Sequence, residues 1–210
     1  MTAVAEPAVT TPTTALELAI ADPILRSAPA SRTRPFEPGY ARLADGAPVF
    51  VRPIQPADVS RLRRMFDRLS PLSVYHRFFA PIPRPRPGML ERLAVVDHER
   101  REALVAIVGD EIVAVARYEG GDSGRDAELA VTVEDAWQHR GLGTLLSRRL
   151  AAVALARGFT AFTATVLGEN RTALHLVRAV SPDARVRLTS GEYGVYLPLR
   201  NDTVERSRVR

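Results

Sequence analysis

Val131-Thr132-Val133-Glu134-Asp135-Ala136-Trp137-Gln138-His139-Arg140-Gly141-Leu142-Gly143-Thr144 runs from an alternating strand through a polar turn into a glycine-bearing helix start. Glycine carries no Cβ to hold a ligand off the backbone, and the first turn of a helix leaves N–H groups without intrahelical acceptors. Those N–H groups lie at the positive end of the helix dipole, so the stretch is suited to an anion such as a pyrophosphate. A simple tight turn would need the same glycines. What favours the anion reading is the setting, a strand before the loop and a long helix after it.

Working outward, Ala127 to Val133 alternates as a strand, with Glu128, Ala130 and Thr132 on one face and Leu129, Val131 and Val133 on the other. Beyond the glycines, Leu145, Leu146, Leu150, Val153, Ala154 and Ala156 form a helical stripe closed by Gly158. Phe162 to Leu167 reads as a strand and Glu169 to Ala179 as a helix. Arg185 to Leu188 with Tyr193 to Leu199 reads as a closing hairpin. Upstream, Asp45-Gly46 supplies a tight turn before a strand over Val49 to Ile54. Ala57 to Leu69 is expected to be helical, with Leu62, Met65, Phe66 and Leu69 opposite Arg61, Arg64 and Arg68. Ser70 before Pro71 reads as an N-cap opening a second helix through Val74, Tyr75, Phe78 and Phe79. Pro81 to Pro87, with prolines at alternate positions, is a rigid loop. Its Arg84 and Arg86 are candidates for attracting an acidic partner, or the loop is only a stiff connector. Met89 to Val96 is a short helix, and Gly109-Asp110 joins strands over Glu102 to Val108 and Glu111 to Tyr118.

Gln138-x-x-Gly141-x-Gly143 in this setting resembles the acyl-CoA pyrophosphate loop, Q/R-x-x-G-x-G/A, of the GNAT N-acetyltransferase superfamily. The order strand, loop, long helix and a strand ending near Asn170 is also that of GNAT domains. Further upstream, several segments resemble bacterial protein lysine acetyltransferases of the Pat type. They are Asp45-Gly46, Val51-Arg52-Pro53-Ile54, Leu69-Ser70-Pro71-Leu72-Ser73, Tyr75-His76-Arg77-Phe78-Phe79, and Asp97 leading into Ala103-Leu104-Val105-Ala106. The similarity spans Leu43 to Leu199. It implies an α/β fold with a mixed, mostly antiparallel sheet flanked by helices, in one domain over residues 41–200. Residues 1–40, rich in Ala, Pro, Thr and Ser, are expected to be a disordered arm, and 201–210 a flexible basic tail. Within the arm, Ala15 to Leu25 has the spacing of a short amphipathic helix interrupted at Pro23. Pat-type enzymes often carry an appended regulatory module, and forty residues are too few for one.

The resemblance also implies a site. Acetyl-CoA is the expected acyl donor. The backbone of Val131, Thr132 and Val133 would hold its pantetheine arm, with one N–H polarising the thioester carbonyl. With Gln138 as the motif's first member, His139, Arg140, Gly141, Leu142, Gly143 and Thr144 would offer N–H groups to the diphosphate. The Arg140 side chain would add charge and the Thr144 hydroxyl a donor. Asn170 matches the asparagine that bonds the pantetheine arm, or it only caps the following helix. Many relatives place a tyrosine one or two helical turns beyond this asparagine to protonate the leaving thiolate, and here the seven-residue spacing falls on Val177. A tyrosine acid is therefore not expected.

An amine acceptor has a pKa near ~10.4 and is almost wholly protonated at neutral pH, so a base must take its proton before attack. On the resemblance that base is Glu128. Its alternatives are a solvent-facing glutamate or one paired with Arg117 or Arg125. Glu134 and Asp135 are rivals that instead suit turn formation. The expected acceptor is a protein lysine. A GNAT acting on a small amine, and a catalytically silent acyl-CoA-binding sensor, remain the alternatives.

Composition narrows the field. The net charge of +5 comes from arginine alone, since the chain has no lysine. That basic balance suits a ligand as anionic as coenzyme A, while no nucleic-acid-reading motif is present. With no cysteine there is no disulfide, thiolate metal site or cysteine nucleophile. His76, His98, His139 and His175 lack ligand spacing, so no metal is expected. No apolar run approaches the ~18 residues of a membrane helix and no signal peptide is evident, so the expected location is cytoplasmic, as monomer or homodimer.

Overall fold

Asp45-Gly46 makes the turn expected of it: Gly46 sits at φ 82° and the Ala47 N–H donates to Asp45 Oδ1 at 3.0 Å. The turn joins β1 (Gly39–Arg42) to β2 (Pro48–Pro53) in a computed structural model that describes residues 36–121 and 124–200. The arm through residue 35, including its Ala15 to Leu25 stretch, and the tail 201–210 lie outside the described residues.

The remaining strands are β3 (Arg101–Val108), β4 (Glu111–Gly120), β5 (Asp126–Val133), β6 (Ala161–Leu167), β7 (Arg185–Thr189) and β8 (Glu192–Pro198). They form one sheet in the order β1-β2-β3-β4-β5-β6-β8-β7. Every neighbouring pair is antiparallel except β5 and β6. Five helices are described: α1 (Val59–Arg68), α2 (Pro71–Phe78), α3 (Met89–Ala94), α4 (Leu142–Ala156) and α5 (Arg171–Val180). The mixed sheet flanked by helices is the architecture read from the sequence.

Helix starts differ from the sequence reading by a residue or two, each for a local reason. Pro56 to Asp58 form a single 3-10 turn, so α1 begins at Val59 rather than Ala57. Asn170 caps α5, its Oδ1 accepting from the Ala173 N–H at 3.0 Å, so the helix starts at Arg171 rather than Glu169. Ser70 is the cap it was expected to be, its Oγ accepting from the Ser73 N–H at 3.1 Å. The proline-rich stretch from Pro81 is an irregular connector from α2 to α3, with Ile82 packed on the core.

Strand alternation divides the apolar residues between two faces. On one face Leu104, Ala106, Tyr118 and Phe162 pack against Leu142, Leu146 and Leu150 of α4 and Val177 of α5. Leu146 and Leu150 are fully buried, each contributing about 2 kcal/mol by removal of apolar surface from water. On the other face Ala103, Val105 and Ile112 lie under Leu62 and Met65 of α1 and Leu90 of α3. Phe66, Val74, Phe78 and Met89 tie α2 to this layer. That helical cover reaches only to β5. No core cluster of the described residues forms on the same face of β6, β8 and β7.

Asp58 pins α1 to the sheet. Its buried carboxylate receives both Arg52 Nη atoms, at 2.6 and 2.7 Å, and the Gln55 N–H at 2.9 Å. Burial pushes this carboxyl up, but the bonds from Arg52 and Gln55 and the charges of Arg52 and Arg61 outweigh it and hold the group below its ordinary value.

Candidate active site

The parallel ladder between β5 and β6 holds for only three Cα pairs, Asp126 with Ala161, Ala127 with Phe162 and Glu128 with Thr163. Past Glu128 the two strands diverge while each runs on, β5 to Val133 and β6 to Leu167. The β5 backbone facing the gap has no ladder partner from β6 there, so its amides are open to another extended chain. The gap is the inner part of a cleft of about 390 Å³, lined there by Val131, Thr132, Val133 and Asn170.

Its outer part is the glycine loop. His139 at φ 60° and Gly141 at φ 81° both lie in the left-handed region, and α4 begins at Leu142 directly after. Alternating left-handed residues with a helix start turns successive N–H groups toward one side, an anion-binding concavity. Gly141 is needed for this backbone, since nothing lies within 4 Å of a Cβ there and only its φ excludes other residues. Gly143 is different: a Cβ would make ordinary contact at 3.5 Å with the Leu176 Cδ atoms. His139, Gly141, Leu142, Gly143 and Thr144 all line the cleft, as does Gln138.

Arg140 does not line it. Its guanidinium stacks on Trp137, 4.8 Å from the ring centroid, and meets Asp45 at 3.3 Å. The sequence reading assigned this side chain to a diphosphate; here it is engaged with Trp137 and Asp45. Competition from an aromatic face and a carboxylate holds that side chain elsewhere, leaving only its main chain near the loop.

Side chains from α2 and α1 lock the loop. Asp135 accepts from the Ser70 N–H at 2.9 Å, Ser70 Oγ at 2.7 Å and Ser73 Oγ at 2.9 Å. Burial raises the Asp135 carboxyl, but these bonds dominate and hold it low. Gln138 Nε2 donates to Val133 O at 3.1 Å and Ser73 Oγ at 3.2 Å, closing the turn. Glu134 is buried against Arg68 at 3.0 Å. Both rival carboxylates are thus committed to holding the loop on the helices.

His76 adds a group with no role in the sequence reading beyond its lack of metal spacing. Its ring lines the cleft, and its buried Nε2 has no hydrogen-bond partner among the described residues. A buried polar atom left without a partner is costly. Together with the open β5 amides and the N–H-rich loop, it makes the cleft a fit for a long polar molecule with an anionic end. A coenzyme A thioester has that chemistry.

Glu128 is not among the residues that line this cleft. It lines an open depression of about 410 Å³ with Thr163, Thr165, Gly194 and Tyr196. Its direct cross-strand partner is Glu119 of β4, a residue the sequence reading missed. Burial pushes the Glu128 carboxyl up, the Arg77 charge pulls it partly back, and Glu119 pushes it up again, so it stands above its ordinary value. The arginine acting on it is Arg77 of α2, in place of the Arg117 or Arg125 weighed from sequence. Arg77 lies where the cleft meets a small apolar pocket beneath α1 and α3. Burial, with Arg117 nearby and against the pull of Glu128, brings its guanidinium down to about 10. A short strand link, Gly121 to Arg125, was the available signal for Glu119, because a hairpin with its register known would have placed the two glutamates opposite each other.

Val177 is buried in the core, so the position seven beyond Asn170 does not offer an acid. Among the described residues no group of His, Asp or Glu could hold a metal ion, and no helix is long and apolar enough to cross a membrane.

The family model of the GNAT acetyltransferases matches residues 69–180. An acetyltransferase of Pseudomonas aeruginosa is 35% identical over 121 residues, 56% of this chain and 65% of that protein. The acetyltransferase Pat of Mycolicibacterium smegmatis is 33% identical over 124 residues, 58% of this chain and 37% of that protein. Both alignments span less than two thirds of the relative's own length. The crystal structure of the GNAT domain of S. lividans PAT superposes with a TM-score of 0.72 at 32% identity, covering 77% of this chain and 97% of that domain. Matched by the family model over more than half its length, and sharing its fold with the S. lividans domain, the chain belongs to the GNAT acetyltransferase family.

Proposed function

We propose that the chain transfers an acetyl group from acetyl-CoA to a primary amine, and that the amine is a protein lysine. The observation that carries this reading is the placement of Glu128. It sits at the last paired position of β5 and β6, where the strands begin to part, and it lines the open depression.

The main chain of Val131, Thr132 and Val133 holds the pantetheine arm, and the loop from Gln138 to Thr144 holds the diphosphate. Asn170 caps α5 and presents its amide to the arm. Acetyl-CoA supplies a thioester carbonyl open to attack. A β5 N–H polarises that carbonyl, and Glu128 takes the proton from the acceptor ammonium, directly or through one water; the freed nitrogen forms the new C–N bond, the C–S bond breaks, and coenzyme A leaves as a thiolate protonated from water. A glutamate whose pKa is raised by burial and Glu119 is a better base for this step than an exposed one, while the Arg77 charge opposes that rise. The openness of the depression favours a lysine on a protein surface over a small amine, which is better held in an enclosed pocket.

Purified protein incubated with labelled acetyl-CoA, and separately with lysine-bearing proteins and small amines, tests the reading. Label on proteins is expected. Label on small amines alone replaces the acceptor, and saturable coenzyme A binding with no label anywhere leaves a sensor.

A further inference from the structure

The depression that holds Glu128 is bounded on its far side by β7, the edge strand, whose five residues are all exposed. Alternation points Arg185 and Arg187 to the same face as Glu128, and both line the depression with it. Cross-strand register runs in one row from Glu128 through Thr163 and Tyr196 to Arg185. Neither arginine side chain has an ion pair or hydrogen bond among the described residues. Arg61, Arg64, Arg68 and Arg101, by contrast, are each tied to a carboxylate. The floor between the two ends is low. Gly194 is opposite both Arg187 and Thr165, and a Cβ on it would meet only Arg187 O, at 3.8 Å. Its φ is not positive, so neither packing nor backbone conformation requires glycine there.

We infer that Arg185 and Arg187 read a carboxylate on the acceptor, and that the substrate lysine belongs to an extended segment with an aspartate or glutamate nearby. This rests on the protein-lysine reading above. Three strand spacings separate β5 from β7, about 14 Å at ~4.8 Å each. An extended chain crosses that distance in about four residues at ~3.4 Å per residue. With the lysine amine at Glu128, an acidic side chain up to about four residues away therefore reaches the arginine rim. Thr163, Thr165 and Tyr196 line the floor between them with hydroxyls for the segment's amides. Arginine suits the role because its planar fork meets a carboxylate at two points.

The test uses peptides identical except at one position, about four residues from a single lysine, where Asp, Asn or Arg is placed. With acetyl-CoA as donor, KM for the Asp peptide is expected to be about fivefold to tenfold below that for Asn, the size of one partly exposed charge-assisted pair. The Arg peptide should be poorer still. In the double variant Arg185→Glu, Arg187→Glu the order should reverse, with coenzyme A affinity by calorimetry unchanged as the sign of an intact fold. Gly194→Val should raise KM for every peptide by filling the floor. Equal KM values for the three peptides, or an order that survives the double charge reversal, overturn the rim and leave lysine acetylation standing. Label on a small amine with none on any peptide overturns the lysine reading, and the rim with it. Sedimentation showing a dimer that the double variant dissolves would assign the rim to a second copy of the chain and overturn its role in reading acceptors.

Discussion

On the proposed donor side of β5 the groups are mostly main chain and come from one continuous stretch, Val131 to Thr144, with Asn170 added from the cap of α5. On the acceptor side they are side chains from distant segments: Arg77 of α2, Glu119 of β4, Glu128 of β5 and Arg185 of β7. A site made of N–H groups depends on φ and tolerates many side chains. A site made of charges depends on which side chains face one another and at what depth. The two halves should therefore fail differently when mutated.

The largest separation is expected from Glu128→Gln. Losing the base should lower kcat by roughly 10²–10⁴-fold, while calorimetry finds coenzyme A binding unchanged. A parallel loss of affinity would mean that Glu128 supports the donor half, and the division proposed here would fail. Gly141→Val is the converse. A β-branched residue forced to φ 81° costs about 1–3 kcal/mol. The expected result is donor affinity weaker by about tenfold or more, with the pH profile of the remaining activity in place.

The charged half is sharpened by pH. On the proposed mechanism the base works ionised, so activity should be lost as pH falls through the raised pKa of Glu128. Glu119→Gln removes a like charge and lowers that pKa, which should carry the acidic limb of the kcat/KM profile to lower pH. Arg77→Met removes the opposing cation and should carry the limb to higher pH. No movement in either variant would show that neither neighbour tunes the base. The smallest effect is expected for Arg140→Ala. Its ring stacking and its contact with Asp45 are partly exposed, so the loss of stability should stay below about 1 kcal/mol. Coenzyme A affinity should change little, as a main-chain site requires; a large drop would return the side chain to the diphosphate.

The same division explains what could be read in advance. Ser70 as a cap, the turn at Gly46, the glycine loop and the paired helix and strand around it are local chemistry, legible because the residues involved lie within a few positions of one another. Asp135 and Glu134 looked like catalytic rivals because nothing in their own segment reveals that Ser70, Ser73 and Arg68 occupy them. Glu119 was missed for a related reason, its one signal being the short link between β4 and β5. Its identity as an acidic strand residue carried no signal until antiparallel register set it opposite Glu128.

By its own order of residues, then, the chain determined its helices, strands and turns, the family loop around Gly141, and the absence of cysteine and lysine chemistry. Only the tertiary structure decided that β5 and β6 part after Glu128, that Arg140 turns to Trp137, and that two glutamates and Arg77 share one charged neighbourhood. Main-chain conformation follows from residues within a turn or two, whereas the field at a carboxylate depends on burial and on charges brought near by strands and helices far apart in sequence.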